Sequence, residues 1–167
     1  QETPRQGGVL KAAIIGEPPT LDTHTTTATI AYQIAWHVFE TLYTYDKQYL
    51  PIPHLAESHT VSDGGRRYTF TLRKGLKWSD GQPFTADDFV FWFEDMYQNK
   101  ELVPTPMAVM TINGKPIKIE KGDANTVRFV APDPYFALPT VLAAVLGLGH
   151  HARFGRNALG GFAPAHY

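Results

Sequence analysis

Residues 67–90, RYTFTLRKGLKWSDGQPFTADDFV, constrain the fold more than any other stretch, because strand, turn and helix-start signals follow one another without slack. Tyr68, Phe70 and Leu72 alternate with Thr69, Thr71 and Arg73, the period-two pattern of a half-buried strand. Lys74-Gly75 breaks that strand. A second short strand through Leu76 and Trp78 is expected to end at Ser79-Asp80-Gly81, where aspartate bonds the local backbone and glycine accepts a positive φ. Thr85 stands at a helix N-cap position, Asp88 completes a capping box three residues on, and Asp87 adds negative charge to the first turn. These signals predict a helix over residues 86–98. Phe89, Phe93 and Tyr97 share its i+4 row, so the aromatic crowd that also includes Phe91, Trp92 and Met96 reads as core rather than ligand platform.

Upstream, residues 1–8 are polar and rich in Pro and Gly, an expected unstructured leader. Residues 9–15 are apolar and β-branched enough for a buried strand, stopped by Gly16 and Pro18-Pro19. After a threonine-rich loop, Ile30, Ile34, Val38 and Leu42 recur at i+4 and predict a helix over residues 28–43, with Trp36 and His37 on or beside its core stripe. From Thr44 onward short strands and turns take over. Residues 55–58 read as a short turn or the start of a strand, and residues 59–62 lead to the turn Asp63-Gly64-Gly65. Residues 107–112 alternate into Asn113-Gly114, residues 117–119 return, and residues 126–130 add a third strand, predicting a β-meander. Residues 135–148 carry apolar side chains at helical spacing, with Pro139 tolerable only in the first turn. The tail after Gly149 reads as a loop.

Four blocks in order carry a resemblance: GGVLKAAIIGEPPTLDTH, IAWHVFETLYTYD, PHLAESHTVSDGGRRYTFTLR and KGLKWSDGQPFTADDF. Together they resemble the family 5 extracytoplasmic solute-binding proteins of ABC importers, which serve peptides, nickel chelates, some oligosaccharides and related solutes. The resemblance implies an α/β, periplasmic-binding-protein-like fold of type II with an extra subdomain. It also implies that these residues form only the N-terminal portion: a strand and helix of lobe I, then a mixed β-meander and helix subdomain. The implied domains are residues 1–43 in lobe I, residues 44–164 as the extra subdomain, and residues 165–167 starting the return to lobe I. In the family the loop after the leucine-aspartate pair, here Leu21-Asp22, reaches the binding cleft. That likeness, with the hydroxyl and backbone donors of a threonine-rich loop, points to Thr27, Ala28 and Thr29 as ligand contacts, against the plainer reading of a solvated capping loop.

Charge and composition agree with this reading and narrow the alternatives. With 15 basic and 16 acidic residues the net charge is -1, and no basic field points to nucleic acid. Zero cysteines remove disulfides, thiolate catalysis and zinc-thiolate sites. No apolar run approaches the ~20 residues that span a bilayer. The resemblance implies that a signal peptide has been removed and that any lipid anchor lies outside these residues.

Chemistry-bearing groups favour bland roles. Asp87-Asp88 and Glu94-Asp95 are sequence neighbours whose side chains diverge by ~100° on a helix, so capping or a solvated face outweighs paired acid-base work. Asp80 suits its turn. His150-His151 lack a partner at metal-site spacing, and the other histidines are scattered. No nucleophile elbow or phosphate-binding loop occurs.

The expected function is therefore that of a non-enzymatic bacterial solute-binding component, periplasmic or extracytoplasmic, with or without attachment to the membrane. Its implied partners are a small solute, either a peptide, a chelate or an oligosaccharide, and an ABC permease. No nucleic acid, cofactor or metal is implied, and the intact protein is expected to be a monomer. The competing readings are a β-rich protein-interaction module and a carbohydrate-active or metal-assisted hydrolase. Two further expectations follow from a partial lobe: these residues alone do not bind solute with ordinary affinity, and residues 9–15 and 28–43 expose an apolar face or find a partner chain.

Overall fold

The computed structural model describes residues 9, 11–21, 28–37, 39–78 and 80–144. In chain order its regular elements are α1 (Thr29–Ala35), β1 (Tyr43–Tyr45), β2 (Pro51–Pro53), β3 (Ala56–Ser62), β4 (Arg67–Leu72), α2 (Ala86–Phe91), β5 (Thr111–Ile112), β6 (Lys115–Pro116), β7 (Lys118–Asp123), β8 (Thr126–Val130) and α3 (Leu138–Ala144). The central unit is a four-stranded antiparallel sheet in the order β3-β4-β8-β7. Its alternation is the one expected of β4: Tyr68, Phe70 and Leu72 are buried, and Val127 and Phe129 of β8 and Ile119 of β7 join them. These side chains share one core with Ala86, Phe89, Trp92, Phe93 and Tyr97 from the helical segment. Phe70 and Phe129 meet edge to face at 5.4 Å, the geometry the ring quadrupoles favour.

Local chemistry holds α2 where its signals placed it. The Thr85 hydroxyl accepts from the Asp87 N–H at 3.3 Å and the Asp88 carboxylate accepts from the Thr85 N–H at 2.8 Å, so the capping box forms. Lys121 of β7 donates to both oxygens of Asp87, at 2.7 and 2.9 Å, and the Ala86 N–H donates to the Ala124 carbonyl at 2.9 Å. The helix start is thus stitched to the β7–β8 hairpin. Beyond Phe91 the helix widens into a π-turn, Trp92–Tyr97, with the Gln98 N–H donating to the Phe93 carbonyl. The wider turn stacks Trp92 on Tyr97 at 5.3 Å. The i+4 row of Phe89, Phe93 and Tyr97 is buried as expected, and Trp92 is buried with it.

Before β4, the turn Asp63–Gly65 runs through three positive φ angles, 52°, 60° and 90°. Gly65 is favoured there on two counts. Its φ of +90° disfavours any side chain, and a Cβ would sit 2.7 Å from the ring of Phe136.

The seam between α1 and the sheet is built from backbone. The Leu55 N–H donates to the Thr41 carbonyl at 3.1 Å, and the His54 and Ala56 N–H groups donate to the Leu42 carbonyl at 3.0 and 3.2 Å. Tyr43 then pairs with Pro53 across β1 and β2. In the β1–β2 turn, Asp46 accepts from the Gln48 and Leu50 N–H groups at 2.8 and 2.9 Å. Helix α3 packs on β1 and β2, and the Tyr45 hydroxyl donates to the Thr140 carbonyl at 2.8 Å. Pro139 falls in the first turn of α3, where its missing N–H costs nothing.

Several sequence expectations need correction. Within residues 9–15, the described positions form no strand and are largely exposed, Ile15 at 97%. Among the described residues no neighbouring strand offers them a ladder, and an apolar β-branched run without one has nothing to pair with. The helix expected over residues 28–43 stops at Ala35, because residues 41–43 are drawn into hydrogen bonds with residues 53–56. Leu42, assigned to the helical stripe, is buried instead at the start of β1. Trp36, expected in the core, is 49% exposed, and His37 is exposed beside it. Of the large apolar side chains in this region, Val9, Ile14, Ile15, Leu21 and Trp36 are exposed, while Ala31 and Ala35 of α1 are buried. The strand through Leu76 and Trp78 reduces to a single bridge between Lys77 and Pro83 around the Asp80-Gly81 turn. The β-meander is replaced by a different order. Residues 108–110 form a 3-10 turn, β5 and β6 make a separate hairpin at Asn113-Gly114, and β8 inserts between β4 and β7. In this order Val127 and Phe129, paired beside β4, face the same core as Phe70.

Candidate functional site

Of the three expected ligand contacts, Ala28 and Thr29 fall among the described residues, while Thr27 lies outside them, as do Asp22, His24, His150, His151 and His166. Ala28 is the N-cap of α1, extended at φ -66° and ψ 119°, and its carbonyl accepts from the Ala31 and Tyr32 N–H groups. Thr29, at the first helical position after that extended residue, is exposed. Thr29, Tyr32 and Trp36 follow one another along one side of α1 and, with Ala144 of α3, line an open, largely apolar hollow of about 300 Å³. Burial raises the Tyr32 hydroxyl above the usual phenol range. The arrangement supplies aromatic surface and a hydroxyl, which suits non-covalent contact rather than proton transfer.

Other groups with chemical potential are engaged structurally. Asp88 is buried in the capping box, Asp87 is paired with Lys121, and Asp80 accepts from the Gln82 N–H at 3.0 Å. Glu94 and Asp95 face solvent. His54 lies 3.5 Å from Glu40. His59, read from sequence only as one of several scattered histidines, joins an aromatic cluster with Tyr43, Tyr68 and Phe70. No periodicity could have announced it, since its partners come from two separate stretches, β1 and β4. Among the described residues no group of three His, Asp or Glu side chains could hold a metal ion. Likewise, no helix among them is long and apolar enough to cross a membrane.

Residues 51–159 match the family described as bacterial extracellular solute-binding proteins, family 5 Middle. The chain belongs to this family. The dipeptide-binding protein of Bacillus subtilis is 30% identical over 118 residues, which cover 70% of this chain and 22% of that protein. The periplasmic alpha-galactoside-binding protein of Rhizobium meliloti is 36% identical over 85 residues, covering 51% of this chain and 12% of that protein. A solved ABC transporter substrate-binding protein from Listeria monocytogenes superposes with a TM-score of 0.66 at 26% identity, over 86% of this chain and 30% of that one. The fold is accordingly a part of the type II periplasmic-binding-protein architecture expected from the sequence. The chain spans less than a third of the length of each of these relatives.

Proposed function

We propose that the intact protein is the extracytoplasmic solute-binding component of an ABC importer. It captures a peptide or a related small solute between two lobes and delivers it to a membrane permease, with no bond broken. The observation that carries this reading is the family match across residues 51–159, on a chain whose described part shares its fold with a solved ABC substrate-binding protein. Capture between lobes is a hinge equilibrium: a solute that touches both lobes only when they close shifts the population to the closed form. Native mass spectrometry of the whole protein, purified without refolding, tests it. A co-purifying small solute, displaced by a peptide or sugar of the same class, supports the reading, and failure to retain or bind any solute from peptide, sugar and chelate panels overturns it.

Within that protein, Thr27, Ala28 and Thr29 are the ligand-contacting positions on this lobe. Support comes from Thr29 standing at the rim of the aromatic hollow, at the helix start that follows the threonine-rich loop. Replacing Thr29 by the near-isosteric Val removes one hydroxyl. If that hydroxyl bonds the solute, affinity falls roughly five- to tenfold, the worth of one hydrogen bond, with Tm unchanged. Unaltered affinity in calorimetry removes Thr29 from the site.

The domain division follows the same reading, with residues 1–43 in lobe I, residues 44–164 in the extra subdomain and residues 165–167 beginning the return. The helix break after Ala35 and the start of β1 at Tyr43 support a boundary there. Limited proteolysis of the 167-residue chain is expected to cut first before Tyr43 and to leave the part beginning at β1 intact; first cleavage inside β3 to β8 goes against the division.

A further inference from the structure

His59 occupies an unusual place for an imidazole. It sits on β3, half-buried, with its ring edge-on to Tyr43 at 5.5 Å, stacked on Tyr68 at 5.9 Å and 5.5 Å from Phe70. Its Nδ1 is hydrogen-bonded to the Tyr43 hydroxyl. The groups facing it are therefore aromatic: Tyr43 from β1, and Tyr68 and Phe70 from β4. Among the described residues no carboxylate lies within ion-pair reach of it. Desolvation holds the His59 ring below the ordinary imidazole value of 6.5.

Tyr43 is the residue at which the chain passes from the α1 region into the sheet. It is 2% exposed, its backbone pairs with Pro53, and its neighbours Thr41 and Leu42 accept the hydrogen bonds from residues 54–56. The Tyr43–His59 contact is thus the side-chain clasp beneath the backbone seam. α3 rests on β1 and β2, so the clasp also supports the helix whose Ala144 lines the hollow beside α1.

We propose that this clasp is an acid-sensitive joint: protonation of His59 releases Tyr43 from the sheet and loosens β1 and β2 while the four-stranded sheet stays intact. A charged imidazole among three rings loses solvation that no facing carboxylate restores, and protonation leaves Nδ1 a donor only, so the Tyr43 hydroxyl can keep the contact only as acceptor. The sign follows from the neutral form being the one the fold prefers. The clasp contributes fully above pH 6.5. It weakens as pH falls below that value, where the unfolded chain takes up the proton more readily than the folded one. A second imidazole, His54, lies 3.5 Å from Glu40, so the whole chain's pH profile does not isolate His59 and a residue-level readout is needed.

Hydrogen exchange of the 167-residue chain, corrected for intrinsic rates and compared between pH 7.5 and 5.5, supplies it. Expected at the lower pH is a several-fold loss of protection at the β1 amides and at Ile52, the one β2 residue with an N–H, with β7 and β8 unchanged, and no such loss in His59→Gln, which keeps a hydrogen-bonding side chain but does not titrate. His54→Gln should retain the wild-type response. A flat wild-type profile, a loss spread over all strands, or an equal loss in His59→Gln overturns the proposal. If the Gln variant does not fold, an NMR titration of the wild-type imidazoles decides: a His59 midpoint at or above 6.5 defeats it, and a lower one, with the Tyr43 amide shifting in step, supports it.

Discussion

Phe70→Ala is expected to cost the chain about 3–5 kcal/mol of unfolding free energy, the range for truncating a fully buried aromatic side chain. Phe70 is 0% exposed at the middle of β4, and its ring meets those of Tyr43, His59, Tyr68 and Phe129. These come from β1, β3, β4 itself and β8, so no single element can shift to close the cavity without dragging others out of register. Equilibrium urea unfolding checks this through a lower midpoint at an unchanged slope. Since small domains hold only ~5–15 kcal/mol in total, partial unfolding in buffer would be an unsurprising outcome. Phe136→Ala serves as the control: that ring is 75% exposed and its loss should cost far less. A Phe70→Ala cost under about 1 kcal/mol, below the range for core truncation, would show that the core is not organised around this ring.

Solute binding by these 167 residues alone is expected to be at least ~1000-fold weaker than by the intact protein, a difference of about 4 kcal/mol. If the solute is held between two lobes, the contacts of the second are missing here and the closure that desolvates the ligand cannot occur. The open hollow beside α1, walled by Tyr32 and Trp36, has one side exposed to solvent, which fits half of an enclosure. Parallel isothermal titrations of the short chain and the whole protein, with a solute identified on the latter, measure the ratio. Comparable affinities would refute two-lobed capture and place the whole site within these residues.

Local signals and long-range ones fared differently. Thr85, Asp87 and Asp88 announced their roles because capping is decided within three or four residues, and the structure shows each in place. The alternation of Tyr68, Phe70 and Leu72 announced a strand with one buried face for the same reason. The helix through Leu42 failed because its i+4 spacing says only that a stripe is apolar. Whether Leu42 meets the core from a helix or from an extended chain depended on the carbonyls of residues 41 and 42 finding N–H groups at residues 54–56. Trp36 likewise read as core on periodicity, yet periodicity cannot supply the surface that would cover it.

The candidate site divides along the same line. The threonine-rich loop and its likeness to a family singled out Thr27, Ala28 and Thr29. That Tyr32 and Trp36 continue from Thr29 along one wall, with Ala144 closing the hollow from a helix more than a hundred residues on, required coordinates. His59 is the sharper case, since its chemistry lies in rings contributed by β1 and β4.

By itself the sequence determined the family, the turn and cap chemistry of residues 67–90, and which side chains would be buried along β4 and α2. These are properties of short windows, where hydrogen-bond reach and side-chain period act over a few residues. Only the tertiary structure decided the sheet order β3-β4-β8-β7, the early end of α1 and the His59 clasp. Strand order depends on which distant edges bury the same core, a choice set by the summed apolar surface of the whole chain rather than by any segment of it.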